Sequence, residues 1–157
     1  ISLDNQQQPV SEPLVRELPA FLQETAFLDR IRALIPGWKI RKLSGECFAR
    51  NVGLKSDFFG DALVALRNDL EHDQRCARRI QLTGEKVYKR NEDSVRSIAS
   101  GLLKVQFPHG KVSDLEFERY CVSPARMLRQ YIWGQLQMLD AEYRQYEPTI
   151  QYEVLPD

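Results

Sequence analysis

Two arginines in this chain carry the most suggestive chemistry. Arg30 lies in ETAFLDRIRALI and Arg96 in NEDSVRSIASGLLKVQFPHG, each at the edge of an apolar helical stripe. In the second stretch Val95, Ile98, Ala99, Leu102 and Leu103 share one face, with Arg96 beside it. An arginine at such a boundary can rest its stem on a core and extend its fork beyond it. That fork is planar and permanently charged, which suits it to phosphate. The plainer reading of each is a solvated surface arginine, and spacing leaves both readings open. Arg32 flanks the same stripe as Arg30, and periodicity does not choose between them.

Other residues offer less. Ser100 and Lys104 have the spacing of a serine–lysine nucleophile pair, but both are expected on the polar side of their helix, where the lysine stays solvated. Arg75, Arg78, Arg79, Lys86, Lys89 and Arg90 form a basic run around Tyr88. Such a run either follows a nucleic-acid backbone with an aromatic stacked on a base, or is a solvated face. Trp133 lies off the main stripe of its helix, one turn after Arg129, and the pair reads as a surface contact or as a partner or domain interface. There is no GxxxxGK[ST] phosphate loop, no HExxH and no GxSxG. His72 and His109 stand alone, so no metal site is supported.

Several helices must position these groups. One is expected over 24–35, with Phe27, Leu28, Ile31, Leu34 and Ile35 inward and Pro36-Gly37 as its stop. WKIRKL at 38–43 alternates like a short strand. A second helix is expected over 57–71, capped by Ser56, with Phe59, Ala62, Leu63, Leu66 and Leu70 inward. Residues 72–90 read as polar and basic, broken at Thr83-Gly84. A third helix runs over 92–107, capped by Asn91 and closed by Pro108 and Gly110. Ser113 to Glu116 is a capping box. Ser123-Pro124 opens the longest helix, 124–146, with Ala125, Leu128, Ile132, Leu136, Leu139 and Tyr143 as its stripe. TIQYEVL then alternates like a strand.

These elements define a mainly α chain, a helical bundle with short β segments near its termini. At 157 residues, 43% of them hydrophobic and 28% charged, the length and composition suit one globular domain. Lys plus Arg and Asp plus Glu are equal at 22 each, so any pull toward nucleic acid must come from a local patch. Cys47, Cys76 and Cys121 are odd in number and widely spaced, which fits a reducing cytoplasm better than a disulfide framework. No apolar run approaches the ~18 residues of a membrane span. The chain begins at Ile1 without Met and reads as a fragment of something larger.

Three stretches in order, TAFLDRIRALIPGWKI at 25–40, VGLKSDFFGDALVALRNDL at 52–70 and NEDSVRSIASGLLKVQFPHG at 91–110, resemble the Lon-related AAA+ ATPase family that includes the Lon-like protein of BREX phage-defence systems. DAEYRQYEP at 140–148 is compatible with the junction that follows, and the resemblance spans about residues 20–155. It implies that residues 1–22 lead in from an AAA+ core, that 23–147 form the helical lid, and that 148–157 begin a linker toward a Lon-like domain. It further implies a ring homo-oligomer that uses ATP with Mg and is associated with DNA; no membrane partner is expected, since no long apolar run is present. On this resemblance Arg30 is placed as an arginine finger acting in trans, and Arg96 as the lid arginine meeting the nucleotide of its own subunit. The phosphate loop and the serine–lysine site would lie outside the chain, so the isolated piece is expected to be inactive.

Overall fold

The computed structural model describes residues 3–6, 8–10, 13–48 and 50–157. Short 3-10 turns over Leu14–Glu17 and Ala20–Leu22 lead into α1 (Thr25–Leu28), followed by an irregular stretch with 3-10 turns at Gly37–Lys39 and Gly45–Cys47. Then come α2 (Ser56–Arg67), α3 (Glu71–Arg79), β1 (Ile80–Thr83) and α4 (Lys89–Gln106). A short α5 (Asp114–Phe117) runs through a π-helical turn over Glu118–Val122 into α6 (Ser123–Leu139), and α7 (Ala141–Arg144) and β2 (Gln151–Val154) complete the chain. The chain is mainly helical, as its periodicity indicates.

The centre is α4. It packs against α3, α6 and the π-helical turn, and buries Asn91, Ser94, Val95, Ala99, Ser100 and Leu103. Val95, Ala99 and Leu103 recur at fourfold spacing and form the expected apolar stripe. The flanking polar positions are buried because neighbours cover α4 on more than one side. Asn91 is thus no cap, since the helix begins two residues earlier at Lys89. The sheet is antiparallel, with Ile80 opposite Val154 and Leu82 opposite Tyr152. Ile80 and Leu82 alternate inward with the exposed Gln81 between them. The Ser113–Glu116 capping box is present: Glu116 N–H donates to Ser113 Oγ at 3.3 Å and Ser113 N–H to Glu116 Oε2 at 3.0 Å.

Several local expectations fail, each for a tertiary reason. The helix expected over 24–35 ends at Leu28, and Phe27 and Ile35 are exposed. WKIRKL forms no strand, with a 3-10 turn at Gly37–Lys39 instead. α2 forms almost where expected, yet buries none of its residues, and Phe58, Phe59, Leu63 and Val64 are exposed. Its amphipathic pattern dictates a helix, but no described element covers its apolar face. The polar stretch after 71 supplies α3 and β1, because Cys76, Arg79, Ile80 and Leu82 turn inward. The long helix breaks at Asp140, an extended residue whose carboxylate accepts from Glu142 N–H at 2.9 Å and so starts α7.

Gly84 leaves β1 at φ +124°, where a Cβ would stand 2.7 Å from Glu147 Oε1. That same oxygen accepts from Glu85 N–H at 3.0 Å. Gly84→Ala is therefore expected to destabilise the chain by about 1–3 kcal/mol, read as a lowered urea midpoint. Burial pushes the Cys76 thiol up to about 12 and the Cys121 thiol up to about 11, whereas the exposed Cys47 thiol is lowered by hydrogen bonds from Ser44. A maleimide at neutral pH should label Cys47 in the folded chain and reach the other two only after denaturation, as mass spectrometry would show.

Candidate functional site

The strongest polar constellation lies where α6 crosses α4 and the chain leaving α1. Its centre is Arg129, fully buried on α6. Arg129 Nε donates to Asn91 Oδ1 at 2.8 Å. Nη1 donates to the backbone carbonyls of Asp29 at 3.1 Å and Ile31 at 2.7 Å. Nη2 donates to Asp29 Oδ1 at 2.8 Å. The other carboxylate oxygen of Asp29 accepts from Arg90 Nη1 at 2.6 Å and from the Tyr88 hydroxyl at 2.9 Å. Burial pulls the Arg129 guanidinium below the ordinary arginine value while Asp29 opposes the change, and the group stays charged. Burial, then the bond to Asp29, pushes the Tyr88 hydroxyl up, so it remains a donor.

This network explains why α1 stops early. Arg129 takes the Asp29 and Ile31 carbonyls, and Leu34 N–H donates to Leu128 O at 3.2 Å. The chain therefore runs along α6 instead of bonding to itself. Arg30 sits between the two clamped carbonyls with its side chain exposed, and its Nη1 donates to the Ala26 carbonyl. Arg32 is also exposed, but its Nη1 donates to Ser97 Oγ on α4.

Arg96 is half-buried on α4. Its Nε and Nη2 donate to the Ile80 carbonyl at 2.9 and 2.7 Å, and Nη2 also pairs with Glu92 Oε1 at 2.7 Å. In this structure the fork fastens α4 to the start of β1. Arg30 and Arg96 thus share one packed body but touch different partners.

The basic run does not form a single patch. Arg79 is buried, stacks on Phe117 at 4.5 Å, and donates to the Leu155 carbonyl at 2.9 Å and to Asp114 Oδ1 at 2.5 Å. Arg75 pairs with Asp157 and the Gly110 carbonyl, Lys89 with Glu92 and Asp93, and Arg90 with Asp29. Arg78 and Lys86 are exposed.

Ser100 and Lys104 depart from expectation. They face α3 and not solvent, with Ser100 buried and Lys104 half-buried. Asp73 takes both, Ser100 Oγ at 2.5 Å and Lys104 Nζ at 3.0 Å. Burial raises the Asp73 carboxyl, but these two bonds outweigh it and hold the group below its usual value. Hydroxyl and ammonium are both committed to one carboxylate, so they do not make a nucleophile and base. Arg129 and Trp133 are buried too, not at the surface. The sequence stripe of α6 ran through Leu128 and Leu139, whereas the buried line is Ala125, Arg129, Ile132, Trp133, Gln135 and Leu136. No apolar period marks Arg129, whose burial depends on acceptors supplied by other segments.

These residues supply cations but no cradle for a nucleotide. The sequence has no phosphate loop, and the Arg96 fork already holds Ile80 and Glu92. Among the described residues no group of three or more His, Cys, Asp or Glu side chains comes together to hold a metal, and no helix is long and apolar enough to cross a membrane.

A family model described as Lon-like protease BrxL-like, ATPase domain, matches residues 1–149. The chain belongs to that family. A curated protein named Lon-like protease BrxL from Escherichia coli O9:H4 (strain HS) is 33% identical over 126 residues, covering 80% of this chain and 18% of the relative. Another of the same name from Bacillus cereus (strain H3081.97) is 27% identical over 116 residues, covering 72% of this chain and 17% of the relative. The chain spans less than a fifth of the length of these relatives.

The buried network carries a stability prediction. Arg129→Met leaves Asp29 Oδ1, Asn91 Oδ1 and two carbonyls without their donor in the interior and is expected to destabilise the chain by about 3–5 kcal/mol, measured by urea unfolding. A loss below 1 kcal/mol would mean that Arg129 is not the central tie.

Proposed function

We propose that this chain forms the closing part of an AAA+ ATPase module with its helical lid, and that it supplies two cations to ATP hydrolysis in a ring homo-oligomer. Residues 1–22 lead in from the ATPase core, 23–147 make the lid, and 148–157 start toward a Lon-like domain. Arg96 turns toward the nucleotide of its own subunit, Arg30 toward that of the neighbour, and the phosphate loop and magnesium ligands come from outside the chain. The parent protein would act in the cytoplasm in phage defence.

The observation that carries this reading is the position of Arg30. Within a chain of an ATPase-domain family, an exposed guanidinium is mounted on a backbone clamped from both sides. Among the described residues its guanidinium bonds to the Ala26 carbonyl of α1, four residues back, which leaves it able to reach another subunit. Arg32 is engaged by Ser97 on α4, which favours Arg30 over Arg32 as the finger. Arg96 is half-exposed and holds groups, a carbonyl and a carboxylate, that a phosphate can replace. Binding of DNA through the basic run gains no support here, because four of its six cations are paired within the chain.

The test is ATP turnover in the full-length protein. Arg30→Ala is expected to depress it by ~10³-fold or more, the scale of a transition-state cation supplied across an interface. Arg96→Ala should depress it too, with folding and assembly intact, and the isolated chain should hydrolyse no ATP. Wild-type turnover in both variants would overturn the assignment.

A further inference from the structure

We propose that Arg129 is a positioning residue for Arg30: from inside the bundle its guanidinium holds the peptide plane that enters Arg30 and the plane that leaves Ile31, and so aims the exposed side chain between them. The inference rests on the role proposed above for Arg30. An exposed arginine has many rotamers, and only its backbone can be aimed by the fold. Here one nitrogen, Arg129 Nη1, holds the Asp29 carbonyl, in the peptide entering Arg30, at 3.1 Å and the Ile31 carbonyl, one residue beyond Arg30, at 2.7 Å. Nη2 fixes the side chain of the preceding residue, Asp29, at 2.8 Å. Three acceptors within three consecutive residues meet one rigid plane, so the backbone at Arg30 has little freedom to pivot.

The plane is itself held from the other side. Arg129 Nε donates to Asn91 Oδ1 on α4 at 2.8 Å, and Leu34 N–H donates to Leu128 O, beside Arg129 on α6. Outside the clamp, Arg90 and Tyr88 complete the Asp29 carboxylate. Lysine cannot reproduce this arrangement. It has a point charge able to reach Asp29 but no planar fork to span two carbonyls and Asn91. Displacement of a catalytic group by about 1 Å can cost on the order of a hundredfold in rate.

The test is subunit mixing with the full-length protein, using Arg129→Lys and, in case that variant assembles poorly, the near-isosteric Asp29→Asn. Arg30→Ala and Arg96→Ala chains define the two classes, since one lacks the cation given to the neighbour and the other the cation kept for itself. Mixed together they should regain turnover at interfaces that pair an intact finger with an intact lid arginine. Arg129→Lys and Asp29→Asn should each lower kcat by about ten- to a hundredfold with little change in the KM for ATP. Both should be rescued by mixing with Arg96→Ala chains and not with Arg30→Ala chains. Loss of overall packing would not discriminate between those partners.

If Arg30→Ala and Arg96→Ala fail to rescue each other, the function proposed for the chain falls. If they do rescue each other, three results overturn the positioning role alone. These are wild-type turnover in both test variants, rescue by Arg30→Ala chains, or no rescue by either partner from assembled chains.

Discussion

A guanidinium buried at the crossing of α6 and α4 governs the arrangement of this chain. An ion taken out of water without partners costs several kcal/mol, so Arg129 is tolerable only where its donors find acceptors. Asn91, the carbonyls of Asp29 and Ile31, and the Asp29 carboxylate provide them at 2.7–3.1 Å. The geometry is exacting because the fork is planar. The segment after α1 has to pass where its carbonyls meet that plane, which requires α1 to end and the chain to run beside α6. A local helix is traded for a tertiary anchor, and Arg30 is left exposed on the outside of it.

A second constraint lies in the aromatic cluster around the same crossing. Tyr88 packs on Trp133, Tyr143 and Tyr146 with ring centroids 5.2–5.8 Å apart. Trp133 Nε1 donates to the Glu147 carbonyl at 2.9 Å, and Gln137 Nε2 reaches the same carbonyl at 3.1 Å. These contacts bring the turn after α7 back onto α6 and deliver β2 to β1. Arg79 closes that end through Leu155 and Asp114, with its plane on Phe117. Several of the chain's arginines thus work as cross-ties, their flat forks joining backbone carbonyls that no regular element satisfies.

Much of the helical framework was legible in the residues. The stripe of Val95, Ala99 and Leu103 marked α4, the Ser113–Glu116 capping box marked α5, and Ser123-Pro124 marked the start of α6. Gln151–Val154 was legible as a strand from alternation. α3 was not, because its buried residues are His72, Cys76 and Arg79, and two of those three count as polar on any hydrophobic pattern. The burial of Ser100 and Lys104 was hidden for the same reason: Asp73 compensates them, and a compensating partner far along the chain leaves no periodic trace. For the site, the arginines were visible but their partners were not.

The sequence by itself determined which segments coil, because hydrophobic period, capping residues and proline placement act within a few residues. It also carried the family, through motifs kept in order along the chain. Only the tertiary structure decided where the helices stop and what each charged side chain does. Whether a guanidinium is a clamp, a stacked cross-tie or an exposed cation depends on acceptors up to 100 residues away, as Arg129 and Asp29 show. Those acceptors are brought within 3.1 Å by packing, and no local pattern encodes that distance.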